Sequence, residues 1–301
     1  MALTTEGATG RGLERARRRR VLLLLAPGAI LIIATYVLPG VLIFIYSFLT
    51  PRLGGGVEWE LSLDAYRNLL SPQPRALLYN NFVSVLARSV IWAALATAVC
   101  FALSLPVAVF ISNRRSDAVK YALLVAVMIP FWTSMLVRTY ALRYLLANTG
   151  PVNELLGGLG FDTVVFLNTR IAVILGLVYT ALPFMILPLY ASIARLDQRI
   201  LEAGRDLGAA PIQNFRRVFL PMISAGVVVG STLVFVLSVS QYIVPTLLGG
   251  GKVNMIANLI DLQFGEAFNW PLGAAIAAVF SVIALTCLWI VTGRREEAGL
   301  L

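Results

Sequence analysis

The sequence predicts an all-α membrane protein with six transmembrane helices and both termini in the cytoplasm. Three observations predict it: an extreme apolar composition, a set of long charge-free intervals, and an uneven distribution of basic residues. Of 301 residues, 59% are hydrophobic and only 13% are charged, where soluble domains carry about 25% charged residues. The mean hydropathy of +0.84 exceeds what a soluble chain of this length could bury.

The charge-free intervals are Val21–Pro51, Ser89–Asn113, Tyr121–Val137, Ile171–Ala194, Val218–Gly251 and Ala267–Gly293. A bilayer core of about 30 Å takes roughly 20 apolar residues in a helix. Only the third interval is short, and it lengthens through Ala118 and Val119 at one end and a snorkelling Arg138 at the other. In lipid each span must be helical to satisfy its own backbone.

With the N-terminus inside, the cytoplasmic segments are 1–20, 113–120, 195–217 and 294–301. They hold 16 of the 24 Lys and Arg, which is the positive-inside bias. That distribution, rather than the net charge of +9, decides how "RARRRR" (Arg15–Arg20) is read: as a topology signal and not a nucleic-acid patch. The apolar run after it is too long for a cleaved leader and lacks a small-residue cleavage site, so an uncleaved first span is expected. The domains read as a basic cytoplasmic tail over 1–20, one six-helix membrane domain over 21–293, and a cytoplasmic tail over 294–301.

Element by element, span one runs over 21–49 with Pro27 and Pro39 inside it. The outer loop "TPRLGGGVEWELSLDAYRNLLSPQP" has turn glycines and prolines, and "LDAYRNLL" reads as a short interfacial helix. Span two covers 81–112 and contains Arg88, read as snorkelling or functional. The tight link "NRRSDAVK" predicts spans two and three as antiparallel neighbours. Span four covers 171–190, span five 222–246 and span six 270–291, with "LIDLQF" as a second interfacial segment. Cys100 and Cys287 fall inside spans and lack metal or disulfide spacing. The absence of histidine removes the commonest general base and metal ligand, and no catalytic residue or metal site is expected.

The informative stretch is "LEAGRDLGAAPIQNFRRVFLP", Leu201 to Pro221. Asp197 is an N-cap for a helix over "QRILEAGRDL". Gly208 ends it in the left-handed conformation, and Pro211 opens a second helix that Pro221 stops. Ile212, Phe215 and Phe219 give that helix an apolar face. The pattern of Glu202-Ala203-Gly204, three residues, Gly208, nine residues, then Val218-Phe219-Leu220-Pro221 resembles the EAA loop of ATP-binding-cassette importer permeases. The family pattern has Ala where Gly204 stands and Ile where Val218 stands.

The resemblance implies a type I ABC importer permease fold and a cytoplasmic coupling loop over 195–221. In such importers the loop docks into a groove on a separate ATPase and transmits its closure. Glu202, Ala203, Gly204, Gly208, Pro211, Leu220 and Pro221 carry that role here by position. Arg205 and Asp206 are docking or merely solvated. The implied partners are two ATPase subunits, a second permease, identical or similar, and an extracytoplasmic solute-binding protein. No cofactor is implied for this chain, since ATP is used by the partners: the chain has no G-x-x-x-x-G-K-[ST] phosphate cradle, and its "GK", Gly251–Lys252, lies on the outer side.

"PFWTSMLVRTYALRYLLANTGPVN", "LPFMILPLY" and "YIVPTLLGGG" resemble the spermidine/putrescine branch of these permeases, which also includes transporters of opines and ferric iron. A cationic cargo calls for carboxylates or aromatic faces. The path candidates are Trp132, Thr133, Arg138, Tyr140, Gln241 and Tyr242, with Phe131 and Tyr144 nearby. No span contains Asp or Glu, and Arg138 fits an anionic or zwitterionic solute better than a polyamine. Packing is the competing reading of Trp132 and Tyr242. A secondary transporter, the rival class, would leave intramembrane carboxylates and inverted repeats, and neither is visible.

Overall fold

A computed structural model describes residues 21, 24–52, 54–70 and 82–297; residues 1–20 and 298–301, in the two tails, lie outside the described residues. The first long helix, α1 (Leu24–Tyr46), is apolar throughout and none of it is buried within this chain. It widens into a π turn at Ile33–Val37, just ahead of Pro39, whose missing N–H cannot continue the regular ladder. A small hairpin then departs from the all-α expectation: β1 (Leu49–Pro51) pairs antiparallel with β2 (Val57–Leu61). The predicted Gly-rich turn closes it, with Gly54, Gly55 and Gly56 all at positive φ, a region open to glycine at no steric cost. The short helix α2 (Asp64–Leu70) falls where an interfacial helix was expected.

Next come α3 (Phe82–Ser112), α4 (Asp117–Met128), α5 (Met135–Leu145) and α6 (Pro151–Gly158). The second half holds α7 (Arg170–Ile193), α8 (Gln198–Asp206), α9 (Pro211–Met222) and α10 (Ser224–Val239). It ends with α11 (Ile243–Gly249), α12 (Ile256–Gly265) and α13 (Trp270–Glu297). The last helix continues through Arg294 to Glu297, where the sequence reading placed a tail.

Three helices, α1, α3 and α7, are continuous and apolar enough to cross a membrane. Two further segments are bent pairs, and α13 contributes a shorter apolar stretch, Trp270–Thr286. The third predicted span is not straight. It passes from α4 through a 3₁₀ turn at Ile129–Trp132 and turns by 91° into α5. The fifth predicted span ends early: α10 stops at Val239, and Ser240–Tyr242 separate it from α11. The structural centre is α3, α7 and α10 packed against one another, because small residues let these backbones approach.

That closeness is legible at individual positions. Ser89, Ala93, Ala96, Cys100, Ser104 and Ala108 are the buried stripe of α3. Ser104 donates to the Leu182 carbonyl of α7 at 3.5 Å. On α10, a methyl at Gly226 would lie 2.5 Å from the Pro188 carbonyl oxygen of α7, a backbone atom that cannot turn aside, so glycine permits this crossing as in other small-residue helix seams. Cys100 is buried in this core. A second cluster, Leu69, Phe82, Val85, Ile256, Leu259 and Ile276, ties α2, α3, α12 and α13 together. Ser89 ties α3 to α12 within this cluster, its Oγ accepting from Ile256 N at 2.8 Å and donating to Val85 O at 2.8 Å.

Candidate coupling loop and translocation path

The polar insert folds as the sequence dictates. Asp197 caps α8, its Oδ1 accepting from Arg199 N at 3.0 Å. Gly208 takes φ +79°, and its N–H closes the helix on Arg205 O at 2.9 Å. Ala210 N donates to Gln213 Oε1, and Pro211 occupies the first position of α9. The knob is thus a helix, a glycine elbow and a second helix.

One expectation about its end is corrected. Pro221 does not stop α9, which runs to Met222 and then bends by 70° into α10. A π turn at Phe215–Phe219 widens the helix ahead of the proline, so that no regular bond is demanded of its missing N–H. Leu220 packs on the main core and Ile223 is fully buried, which seats the base of the knob in the bundle. Pro221 itself is exposed.

At the tip, Glu202, Ala203 and Gly208 are exposed, and among the described residues the Glu202 carboxylate makes no ion pair. Leu207 is 89% and Ile212 73% exposed. Phe215 and Phe219, the rest of the predicted apolar face, stack at 5.5 Å. The tip of the elbow thus presents exposed leucine and isoleucine beside a carboxylate that no cation of this chain holds among the described residues. Behind the knob, a hollow of about 870 Å³ separates it from the bundle, lined by Lys120, Tyr190, Glu202, Arg205 and Phe219 among others.

Sequence reasoning missed Asn214. Its side chain is 5% exposed, and Nδ2 donates to Leu201 O of α8 at 2.9 Å. Among the described residues this is the side-chain hydrogen bond that crosses between the two helices of the knob. Its Oδ1 is buried without a partner and faces Gly204, where a methyl would lie 2.6 Å from it. Gly204, the departure from the family's alanine, makes the room that Asn214 fills. The glycine was visible in the sequence, but its partner ten residues on was not.

The path candidates gather at two helix breaks. The first lies between the 3₁₀ turn and α5, where Thr133 Oγ1 donates to Pro130 O at 2.8 Å. The Arg138 guanidinium sits 4.2 Å above the Phe131 ring, and that ring is held edge-on by Phe184 at 5.6 Å. Arg138 Nε and Nη1 are buried without a hydrogen-bond partner. The second break, Ser240–Tyr242, reaches the first through Gln241 Nε2, 3.9 Å from Met135 Sδ. Tyr242 OH donates to Asp261 Oδ2 at 3.0 Å, and Asn258 Nδ2 donates to Tyr242 O at 3.2 Å, which ties Tyr242 to α12.

Two candidates stand apart from this group. Trp132 is 80% and Tyr140 54% exposed, and neither makes a hydrogen bond or ring contact among the described residues. Arg88 turns back along its own helix, Nε donating to Ser84 O at 3.2 Å.

Known proteins place this arrangement in a family. The family described as the binding-protein-dependent transport system inner membrane component matches residues 104–292. The spermidine/putrescine transport system permease protein PotB of Haemophilus influenzae is 36% identical over 255 residues, covering 84% of this chain and 86% of that protein. Its Escherichia coli counterpart is 38% identical over 248 residues, covering 82% and 87%. The inner membrane ABC transporter permease protein YdcU of Escherichia coli is 34% identical over 252 residues, covering 79% and 77%. A chain from a bacterial ABC transporter that imports the acidic polysaccharide alginate shares the fold, with a TM-score of 0.71 at 17% identity over 95% of this chain and 99% of that one. With the family matching the segment that holds the knob and both breaks, and curated permeases aligning across most of its length, the chain belongs to the inner membrane components of binding-protein-dependent transport systems.

Proposed function

We propose that this permease passes a small polycation of the spermidine/putrescine type, handed over by an extracytoplasmic binding protein and driven by two separate ATPase subunits, with a second permease completing the path. The observation that carries the coupling half is the knob: an elbow with Glu202, Ala203, Leu207 and Gly208 exposed and a base seated in the core through Leu220 and Ile223. A rigid body gripped at its tip and anchored at its root converts ATPase closure into movement of α10, which the knob leads into directly, and so into alternating access. In this reading the two bent pairs and α13 complete six spans with both termini inside. The tails are 1–20 and 294–301, the membrane domain is 21–293, and the chain binds no cofactor and hydrolyses nothing itself.

The cargo half is supported by the names of the most similar permeases and by the aromatic lining of the first break. A specific observation favours a second reading: the unpartnered donors of Arg138 suit an opine, chelated iron or another anionic or zwitterionic solute. Thermal-shift screening of the cognate binding protein against putrescine, spermidine, opines and ferric chelates separates the two. For coupling, Glu202→Lys is expected to abolish ATP-driven uptake while membrane insertion stays normal. Undiminished uptake by that variant removes the coupling role.

A further inference from the structure

Arg138 is the obstacle to a cationic cargo, and its geometry turns the obstacle into a device. A guanidinium has five donors in a fixed fork and is ordinarily held by carboxylates or carbonyls. Here Nε and Nη1 are buried with no acceptor, and neither ion pair among the described residues involves Arg138. What holds the charge is the Phe131 face at 4.2 Å. The ring cannot swing away easily, because Phe184 packs edge-on against it at 5.6 Å. The site lies at the 91° bend of α4 into α5, where the second helix break reaches it through Gln241 and Met135.

We propose that the Phe131 face is a subsite for an ammonium group of the cargo, and that Arg138 is its resident stand-in, filling the face between transport cycles. This rests on the cationic-cargo reading. One ring face holds one cation at a time, since two like charges within a few ångströms repel. Arg138 and the cargo amine therefore exclude each other. A resident cation lowers the apparent affinity of a passing one by the fraction of time the face is free. Only the high local concentration released by a docked binding protein overcomes that competition. Free amines on either side of the membrane meet an occupied site, and the path stays shut to them. The two unpartnered nitrogens matter here: an arginine fully satisfied by protein acceptors could not be displaced by the cargo.

The test uses the complete assembly in proteoliposomes, with labelled putrescine as the probe. Arg138→Gln is expected to raise leak of preloaded putrescine, without ATP, by about tenfold. Arg138→Lys, which keeps a cation over the ring, is expected to stay tight. Phe131→Leu should lower kcat/KM for uptake about tenfold, and Phe131→Tyr, which keeps the face, should restore it. An Arg138→Gln variant that loses uptake as completely as Phe131→Leu overturns the proposal, because arginine would then be a required ligand. So does one that shows no added leak. A parent assembly that moves no polyamine overturns the cargo reading instead, so the two failures are distinguishable.

Discussion

Replacing Gly204 by alanine restores the residue that the family pattern has at this position, and the structure gives two opposed terms. In a helix, Gly→Ala contributes about 1 kcal/mol of stability through backbone entropy and propensity. Against it, the new methyl would stand 2.6 Å from Asn214 Oδ1, where ordinary contact begins at 3.4 Å. Asn214 must retreat, and its 2.9 Å bond to Leu201 O does not survive a shift that closes this gap. Losing that bond while the amide stays buried costs about 2–3 kcal/mol, from the bond itself and the unsatisfied group. The clash wins, with a net loss of about 1–2 kcal/mol between α8 and α9, or roughly tenfold in the opening equilibrium of the knob. Amide hydrogen exchange of residues 198–214 reads it directly: protection falls about tenfold in Gly204→Ala. It recovers in part in Gly204→Ala with Asn214→Ala, where the methyl meets no amide and no buried amide is left unsatisfied, while the bond to Leu201 O stays lost. Slower exchange in the single variant would mean that Asn214 does not occupy the space above Gly204, and the account of the knob's rigidity fails with it.

Two further outcomes test the site and the scaffold separately. Leu207→Asp removes an 89% exposed side chain, so the thermal stability of the permease should change by less than about 0.5 kcal/mol, while co-purification with the ATPase falls at least tenfold. Ser89→Ala leaves Ile256 N without its 2.8 Å acceptor and should destabilise the chain by about 1–3 kcal/mol, read as a lowered unfolding midpoint in detergent, with the knob's exchange protection unchanged.

The composition, the charge-free intervals and the arginine asymmetry were enough to predict a helical membrane protein, because lipid leaves a spanning backbone no alternative to satisfying its own hydrogen bonds. The knob was legible for a similar reason. Asp197, Gly208 and Pro211 act on the backbone within a few residues of themselves, so cap, elbow and helix start follow from local chemistry alone. What escaped the sequence was every feature set by distant partners. Composition cannot reveal the 91° turn after Trp132 or the early end of α10, since the residues at the breaks, Thr133–Ser134 and Ser240–Gln241, carry no charge and hydropathy averaged over a span does not see direction. Pro221 does not end the helix: a π turn widens it ahead of the proline and the 70° bend falls after Met222, beside the buried Ile223. Only the folded chain could seat Asn214 over Gly204, lay Arg138 on Phe131, and bring Gln241 to Met135 across 106 residues. Local chemistry determined which elements exist; close packing between elements far apart in the chain decided where they bend and which side chains meet at the bends.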